Sequence, residues 1–381
     1  PPTPDKTKLG NIERKFPTPD AQLSEQEIIK DLEANGFAQD PDVLDTWFSS
    51  ALWPMSTMGW PDAKAAGSEF KGLLEAFNPS SVLTTAREII TLWVSRMVMF
   101  NRYLLAGSEG AAGVSTRTDG QLPFNDVFIH AMIQDGEGRK MSKSLGNGVD
   151  PLDIIHSHGA DAMRFTLVEM TTQTQDVRMP VEVDETTGKN TSPKFDLGRN
   201  FCNKLWNAAR FALSKIPADL PSSIDPADLT LADRWMLTRL REGIAEIDQA
   251  LASYQFSAYA KALYDLVRRD FCDWYLEAVK PTIAECPAQQ GCLRLVLDSL
   301  LRLLHPVVPF ITETIHERLS VIPAPALAGL TLDPPSKGDV LATSGWPAVD
   351  AALTDEDAKA TFERVRTIVD AIRARHRGRG G

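Results

Sequence analysis

Apolar residues in the second half of the chain recur at alternating spacings of three and four. Leu237, Leu240, Ile244, Ile247 and Leu251 do so, and Phe256, Ala260, Leu263 and Val267 repeat the pattern on the next segment. That period puts each set on one face of an α-helix. With Phe201 to Leu213, Leu293 to Leu304 and Val308 to Leu319, the pattern predicts an all-α bundle of four or five helices over residues 196–322. The earlier part alternates in kind. Ser81 to Thr85 and Asp126 to Ile133 are expected as strands, and Glu88 to Leu105 as the helix between them. After the second strand, Asp135-Gly136-Glu137-Gly138 permits a tight turn into a polar loop ending near Asn147. A helix then restarts, with Asp150 as its cap, Pro151 in its first turn and Asp153 at its positive end. Strand, helix, strand, loop, helix is half of an α/β doubly wound nucleotide-binding fold, whose ligands sit at the carboxyl ends of the strands.

These patterns divide the chain. Residues 1–40, rich in Pro, Asp, Glu and Lys, read as a connector, and 41–178 as the α/β unit. Residues 179–195 read as a linker, 196–322 as the bundle, and 323–381 as an irregular segment leading to a terminal basic helix. That helix is expected to start near Thr354, with Thr354 and Asp357 as a capping pair, and to end in Arg373, Arg375, Arg377 and Arg379.

Composition narrows the picture. The 381 residues are 43% hydrophobic, enough for more than one core. A net charge of −11 argues against sequence-blind binding of nucleic acid, so any such contact is local. The cysteines, Cys202, Cys272, Cys286 and Cys292, are too scattered for a disulfide framework or a zinc site, and are expected as free thiols with no protein-bound metal. No apolar run approaches the ~20 residues that span a bilayer, so the chain is read as cytoplasmic and without a membrane partner.

The string most pointed toward chemistry is Lys140-Met141-Ser142-Lys143-Ser144, followed by Leu145-Gly146-Asn147. Two lysines three apart on a loop after a nucleotide-fold strand can bring two ammonium groups to one polyphosphate, and Ser142 and Ser144 add hydroxyl donors. Such donors would serve, for example, a reaction in which a carboxylate attacks the α-phosphorus of ATP. Negative charge then accumulates on the departing pyrophosphate, where fixed cations lower the barrier.

That string resembles the Lys-Met-Ser-Lys-Ser motif of class I aminoacyl-tRNA synthetases, and its neighbours are similar to the valine branch of that family. The similar wording includes Asp45-Thr46-Trp47-Phe48-Ser49-Ser50-Ala51-Leu52-Trp53-Pro54, Asp150-Pro151-Leu152-Asp153, Asn203-Lys204-Leu205-Trp206-Asn207-Ala208-Ala209-Arg210-Phe211 and Phe271-Cys272-Asp273-Trp274-Tyr275. The resemblance runs from about residue 40 to about 375, and the isoleucine and leucine branches fit less well.

The resemblance implies a Rossmann-like half of the catalytic domain, bearing the lysine loop, followed by a helical anticodon-binding bundle. It implies that Lys140 and Lys143 are catalytic, and that Lys140, Met141, Ser142, Lys143, Ser144 and Met132 bind ATP, which arrives with Mg2+. It implies an amino-acid pocket of Trp47, Glu88, Ile89 and Trp93 for L-valine, and phosphate contacts to tRNA(Val) from Arg199, Lys204 and Arg210; the cationic cluster at the end of the last helix, read either as a solvated helix end or as a phosphate contact, adds Arg373 and Arg375 as candidates. Two departures stand out: Ala86-Arg87-Glu88 where the family has Gly-x-Asp, and Ala131 where a Gly follows the strand's His. The family's His-x-Gly-His half-site and editing domain are absent from this sequence, so they are expected in a missing amino-terminal region of the same or a partner chain. This chain alone is then expected to be inactive. The competing reading is a non-catalytic tRNA-binding module or synthetase-like paralogue, against which the intact Lys140 and Lys143 count.

Overall fold

A computed structural model describes residues 25–105, 122–172, 175–336, 338 and 340–377. The first part of the expected connector and Arg379 lie outside the described residues, as does the side chain of Arg377. The chain forms two compact units, Pro1–Ser80 with Thr91–Pro123, and Ser81–Ile90 with Phe124–Gly381.

The first unit contains α1 (Glu25–Ala34), α2 (Thr46–Ala51), α3 (Trp53–Ser56), α4 (Ala63–Ala66), α5 (Leu73–Phe77) and α6 (Ser95–Leu105). Asp45 starts α2 by accepting the Trp47 backbone N–H at 2.6 Å, satisfying one of the donors a helix start leaves free. Its small core joins Met55, Leu74 and Leu105. Asn78 crosses to α6, donating to Asn101 Oδ1 at 2.8 Å and to the Pro54 carbonyl at 3.0 Å. The single helix expected from Glu88 is three pieces: a 3-10 turn at Arg87–Ile89, a π turn at Ile90–Val94, then α6. A π turn adds a residue to the coil and rotates the helix beyond it. The spacing of four between Ile89 and Trp93 therefore does not define one α-helical face.

The second unit opens with β1 (Ser80–Ala86) paired to β2 (Phe124–His130). The strand expected through Ile133 breaks after His130. The reason is a change of partner: Met132 gives its N–H to the Asp176 carboxylate at 3.2 Å, and its carbonyl accepts from Val177. The short β3 (Ile133–Gln134) then runs parallel to β4 (Val177–Arg178), with Ile133 opposite Val177. Between them lie α7 (Pro151–His158) and α8 (Ala160–Met170). Asp150 caps α7 at the Leu152 N–H, 2.8 Å, with Pro151 in the first turn as expected. Residues 179–195, expected as a linker, carry an antiparallel hairpin of β5 (Glu182–Val183) and β6 (Asn190–Thr191).

The bundle comes next as α9 (Phe195–Lys215), α10 (Leu231–Ala252), α11 (Phe256–Tyr264), a π-helical run at Asp265–Tyr275, α12 (Leu276–Val279), α13 (Pro287–Leu304) and α14 (Pro309–Leu319). A parallel pair, β7 (Ser223–Ile224) with β8 (Ala326–Leu327), brings the segment after α14 back to the one before α10. An antiparallel pair of β9 (Leu330–Thr331) and β10 (Ala348–Val349) precedes α15 (Glu356–Arg377). The expected stripe residues Leu237, Leu240, Ile247, Ala260, Leu263 and Val267 are all in the core. Trp235, Phe165 and Phe201 are fully buried, the two Phe rings stacked at 4.2 Å. Helix α13 is buried along its length from Gly291 to Leu304, including its charges. Arg294 and Arg302 flank Asp298 at 2.7 and 2.8 Å, and their other N–H groups reach the carbonyls of Ile322 and Gly345. Each buried charge is thus both paired and hydrogen-bonded, the condition for tolerating it inside.

Helix α8 meets α9 at Gly198, where an added Cβ would sit 2.2 Å from the Ala162 carbonyl. The close approach requires glycine. The capping pair expected for the last helix is corrected: Asp355, not Thr354, accepts the Ala358 N–H at 2.7 Å, and the Thr354 hydroxyl turns back to the Ala351 carbonyl. Asp is as good a cap as Thr, and the choice is made by the turn at 351–353.

Candidate functional site

The lysine loop leaves β3 at Asp135, a residue only 3% exposed. Asp135 Oδ1 accepts the backbone N–H groups of Glu137 and Arg139 at 3.0 and 2.9 Å. Its Oδ2 accepts Arg139 Nε and Asn147 Nδ2, both at 2.8 Å. These donors hold the Asp135 carboxyl far below the ordinary carboxylate range, the Asn147 amide first and the Arg139 backbone N–H next. Gly138, at φ 84°, closes the turn in a conformation that L side chains rarely adopt. Lys140 then bridges back to Gln134 across the turn.

Met141 is half-buried against the small core of Ile154, Met170, Met179 and Phe195, which anchors one point of the loop. Ser142 donates its N–H to Asn147 Oδ1 at 2.9 Å, and its hydroxyl lies 3.2 Å from that of Ser144. On the exit side, Asn190 of β6 donates to the carbonyls of Gly146 and Gly148, each at 2.8 Å. Lys140 and Lys143 are exposed, and among the described residues neither ammonium forms an ion pair. The loop is therefore held by its backbone and its polar stems while its two cations stay unengaged. That is the arrangement an anion clamp needs.

A second node ties the end of β1 to this region. Arg87 makes a two-point contact with Asp176, its NH1 and NH2 reaching the two carboxylate oxygens at 2.9 and 2.8 Å. Asp176 also accepts Gln134 Nε2 at 2.9 Å and the Met132 N–H at 3.2 Å. The Arg87 contacts are the chief cause that lowers the Asp176 pKa. Met132 is half-buried and held through its backbone. Glu88 is exposed and Ile89 half-buried, both in this second unit. The other two expected pocket residues belong to the first unit, where Trp93 Nε1 donates to the Ser50 carbonyl of α2 at 3.0 Å. Trp47, three residues before Ser50 on that helix, has the Arg96 guanidinium 5.6 Å from its ring centre. The structure thus fixes Trp47 and Trp93 on facing helices of one unit.

On the bundle, α9 and α14 border a groove of about 300 Å³ lined by Trp206, Arg210, Leu213, Ile315 and Arg318 among others. Arg318 stands over the Trp206 ring at 5.7 Å, and Arg210 is exposed. The other expected phosphate contacts differ in their engagement. Arg199 pairs with Asp196 at 2.6 Å and Lys204 with Asp273 at 3.1 Å. Arg373 stacks over Trp274 at 5.2 Å, beside Arg366 over the same ring, while Arg375 is exposed.

Two family models match the sequence. Residues 7–180 match "tRNA synthetases class I (I, L, M and V)", and residues 233–379 match "Anticodon-binding domain of tRNA ligase". The chain is 39% identical to a valine–tRNA ligase of Rhodopirellula baltica over 92% of its own length and 36% of the relative's. It is 45% identical to that of Mycobacterium tuberculosis over 78% of this chain and 32% of the relative. The chain belongs to the class I tRNA synthetase family. It spans about a third of the length of the curated relatives it matches. Among solved structures, the Agrobacterium radiobacter K84 LeuRS-tRNA-LeuAMS ternary complex aligns with a TM-score of 0.61 at 21% identity, covering 84% of this chain and 34% of that one. Mycobacterium tuberculosis methionyl-tRNA synthetase, in complex with methionyl-adenylate, aligns at 0.50 and 20% identity, covering 71% and 48%. These two likenesses concern the fold.

Motif reading of this class I chain singles out the lysines and misses the residues that hold them: Asp135, Arg139, Asn147 and Asn190, with Arg87 and Asp176 nearby. Asp135 and Asn147 flank the motif in the sequence, and an Asp before a Gly-rich turn is a signal for side-chain-to-backbone bonds. Asn190 and Asp176 carry no such signal, because they reach the site from segments 42 to 44 residues away.

Proposed function

We propose that this chain is the carboxy-terminal part of a valine–tRNA ligase. The whole enzyme joins L-valine to ATP, supplied as its Mg2+ complex, and then passes the valyl group to tRNA(Val). A valine carboxylate oxygen forms a bond to the α-phosphorus as the bond to the bridging oxygen breaks, and pyrophosphate leaves with the electron pair. The tRNA then takes the acyl group and AMP departs. The observation that carries this reading is the pair of unengaged ammonium groups, Lys140 and Lys143, on a loop clamped at both stems. Ammonium groups so placed stabilise the pyrophosphate as its charge grows, with the hydroxyls of Ser142 and Ser144 as further donors. Met132 and Met141 border the nucleotide. Trp47, Glu88, Ile89 and Trp93 are the residues this reading assigns to the valine side chain.

In this reading residues 1–40 connect from an upstream region, 41–178 complete the catalytic domain, 179–195 link it onward, 196–322 bind the anticodon arm, and 323–381 close the chain. Arg199, Lys204, Arg210, Arg373 and Arg375 contact tRNA phosphates. The groove beside Trp206, with Arg210 and Arg318 at its edge, supports the bundle's part, because unstacked bases are held by aromatic and guanidinium planes. Charging of tRNA belongs with the rest of translation in the cytoplasm. Among the described residues no helix is long and apolar enough to cross a membrane.

The test is valine-dependent exchange of pyrophosphate into ATP, run on this chain alone and with the upstream part that the longer relatives carry. Exchange that needs the added part and falls steeply in Lys143→Ala is the expected result. Salt-sensitive tRNA binding with no exchange in either arm would replace this reading with a non-catalytic tRNA-binding module.

A further inference from the structure

We propose that Asp135 and Asn147 are positioning residues whose side chains lock together the two stems of the lysine loop and thereby set where Lys140 and Lys143 present their charge. The consequence for polyphosphate rests on the function proposed above; the lock itself rests on geometry. Residues 135 and 147 lie on opposite sides of the motif and are 3% and 9% exposed, so their polar atoms must be satisfied by protein. Asn147 uses both ends of its amide. Its Nδ2 donates to Asp135 Oδ2 at 2.8 Å, and its Oδ1 accepts the Ser142 N–H at 2.9 Å. Asp135 spends its remaining acceptor capacity on Glu137, Arg139 and the Arg139 side chain. One side-chain pair therefore fixes the backbone on both sides of Lys140 and, through Ser142, the residue just before Lys143.

This wiring dictates the residue types. Position 147 must both donate and accept, which an amide does and an ionised carboxylate or an aliphatic side chain does not. Position 135 must accept from several N–H donors at once, which suits an ionised carboxylate. Asn190 adds an outer contact on the exit stem but touches neither Asp135 nor Ser142. Asn190 supports the loop; the Asp135–Asn147 pair closes it. Reacting groups need support of this kind, since a loosely held cation loses most of its advantage to reorganisation.

The test uses the full 381-residue chain with two readouts, hydrogen exchange of the amides from residue 140 to 147 and titration with inorganic pyrophosphate. Asn147→Asp sets two carboxylates against each other. It is expected to speed exchange across the loop and to weaken pyrophosphate binding about tenfold, the scale of losing a buried hydrogen-bonded contact. The double variant Asp135→Asn with Asn147→Asp restores one donor facing one acceptor and keeps an acceptor for Ser142. It is expected to recover both readouts in part, because the amide at position 135 gives up the Arg139 Nε contact, whereas a loss of general stability would recover neither. The melting temperature of each variant accompanies the two readouts. Unchanged exchange in Asn147→Asp, or a double variant that stays as open as the single one, overturns the lock. Absence of pyrophosphate binding in the unaltered chain even with the upstream part added would instead sink the proposed function, while the exchange data alone would still decide the lock.

Discussion

The lysine loop and the helical bundle solve the problem of holding a shape by opposite means. In the bundle, Trp235, Leu237, Leu240, Phe271 and Leu300 are buried against one another, and no single contact defines the arrangement. In the loop, the apolar contribution from motif residues is Met141, and the path is set by directional bonds at Asp135, Asn147 and Asn190. Apolar packing is non-directional and scales with area; hydrogen bonds are directional and cost dearly when left unmade. A bundle that has only to stand can rely on area. A loop that must aim two charges at a target needs bonds with fixed angles.

Substitutions that separate aim from stability sharpen this contrast. The largest effect is expected from Lys143→Ala in the complete catalytic assembly: valine-dependent exchange falls about 10²–10³-fold, as when one fixed donor to a developing charge is removed. Its melting temperature should match that of the unaltered protein. A matching fall in stability would mean that the loop cations help hold the fold. In the bundle the pattern reverses. Leu240→Ala should cost about 2–5 kcal/mol in denaturant unfolding, and it acts on exchange only through the fraction folded.

At the contact between α8 and α9, Gly198→Ala forces a Cβ into the Ala162 carbonyl and should cost about 1–3 kcal/mol by the same measurement. A neutral result there would show that the two helices can part without loss. Smaller still, Arg373→Ala removes a half-exposed cation from the face of Trp274 and should change stability by no more than about 1 kcal/mol. A much larger drop in tRNA affinity from the same change would assign Arg373 to the nucleic acid and not to its own bundle.

Acid separates the regions as well. Burial, the main cause, depresses the His305 imidazole below its ordinary value of 6.5, with His316 adding to the fall and Glu313 and Asp161 opposing it. The unfolded chain then takes up that proton more readily than the folded one. Stability linked to neutral His305 is full above 6.5 and is lost as the pH falls through the depressed folded value. His305→Gln should flatten the urea-unfolding midpoint across that window. The Asp135 carboxyl, held far lower by its donors, should keep the loop amides protected from hydrogen exchange over the same range.

Much of this architecture is legible in the chain alone. The three-and-four spacing located α10 and α11, and the Asp150-Pro151 pair located the start of α7. The lysine string marked the candidate site because the chemistry it offers is local: two ammonium groups within four residues. Periodicity failed where the backbone departs from its regular coil, as in the π turns at Ile90–Val94 and Asp265–Tyr275, whose residues differ little from those of ordinary helices. It failed again at Met132, where a carboxylate from Asp176 ends the strand.

The sequence by itself determined which segments bury an apolar face and which residues carry charge into the loop, because both depend on residue type and near-neighbour spacing. Only the tertiary structure decided which of those charges are engaged. Arg373 lies on Trp274 and Lys204 on Asp273, whereas Lys140 and Lys143 stay unengaged among the described residues. Only folding could bring Asn190 and Asp176 to the loop and to the strand that feeds it. Those contacts join segments distant in the chain, and neither their partners nor their angles are encoded in any local pattern.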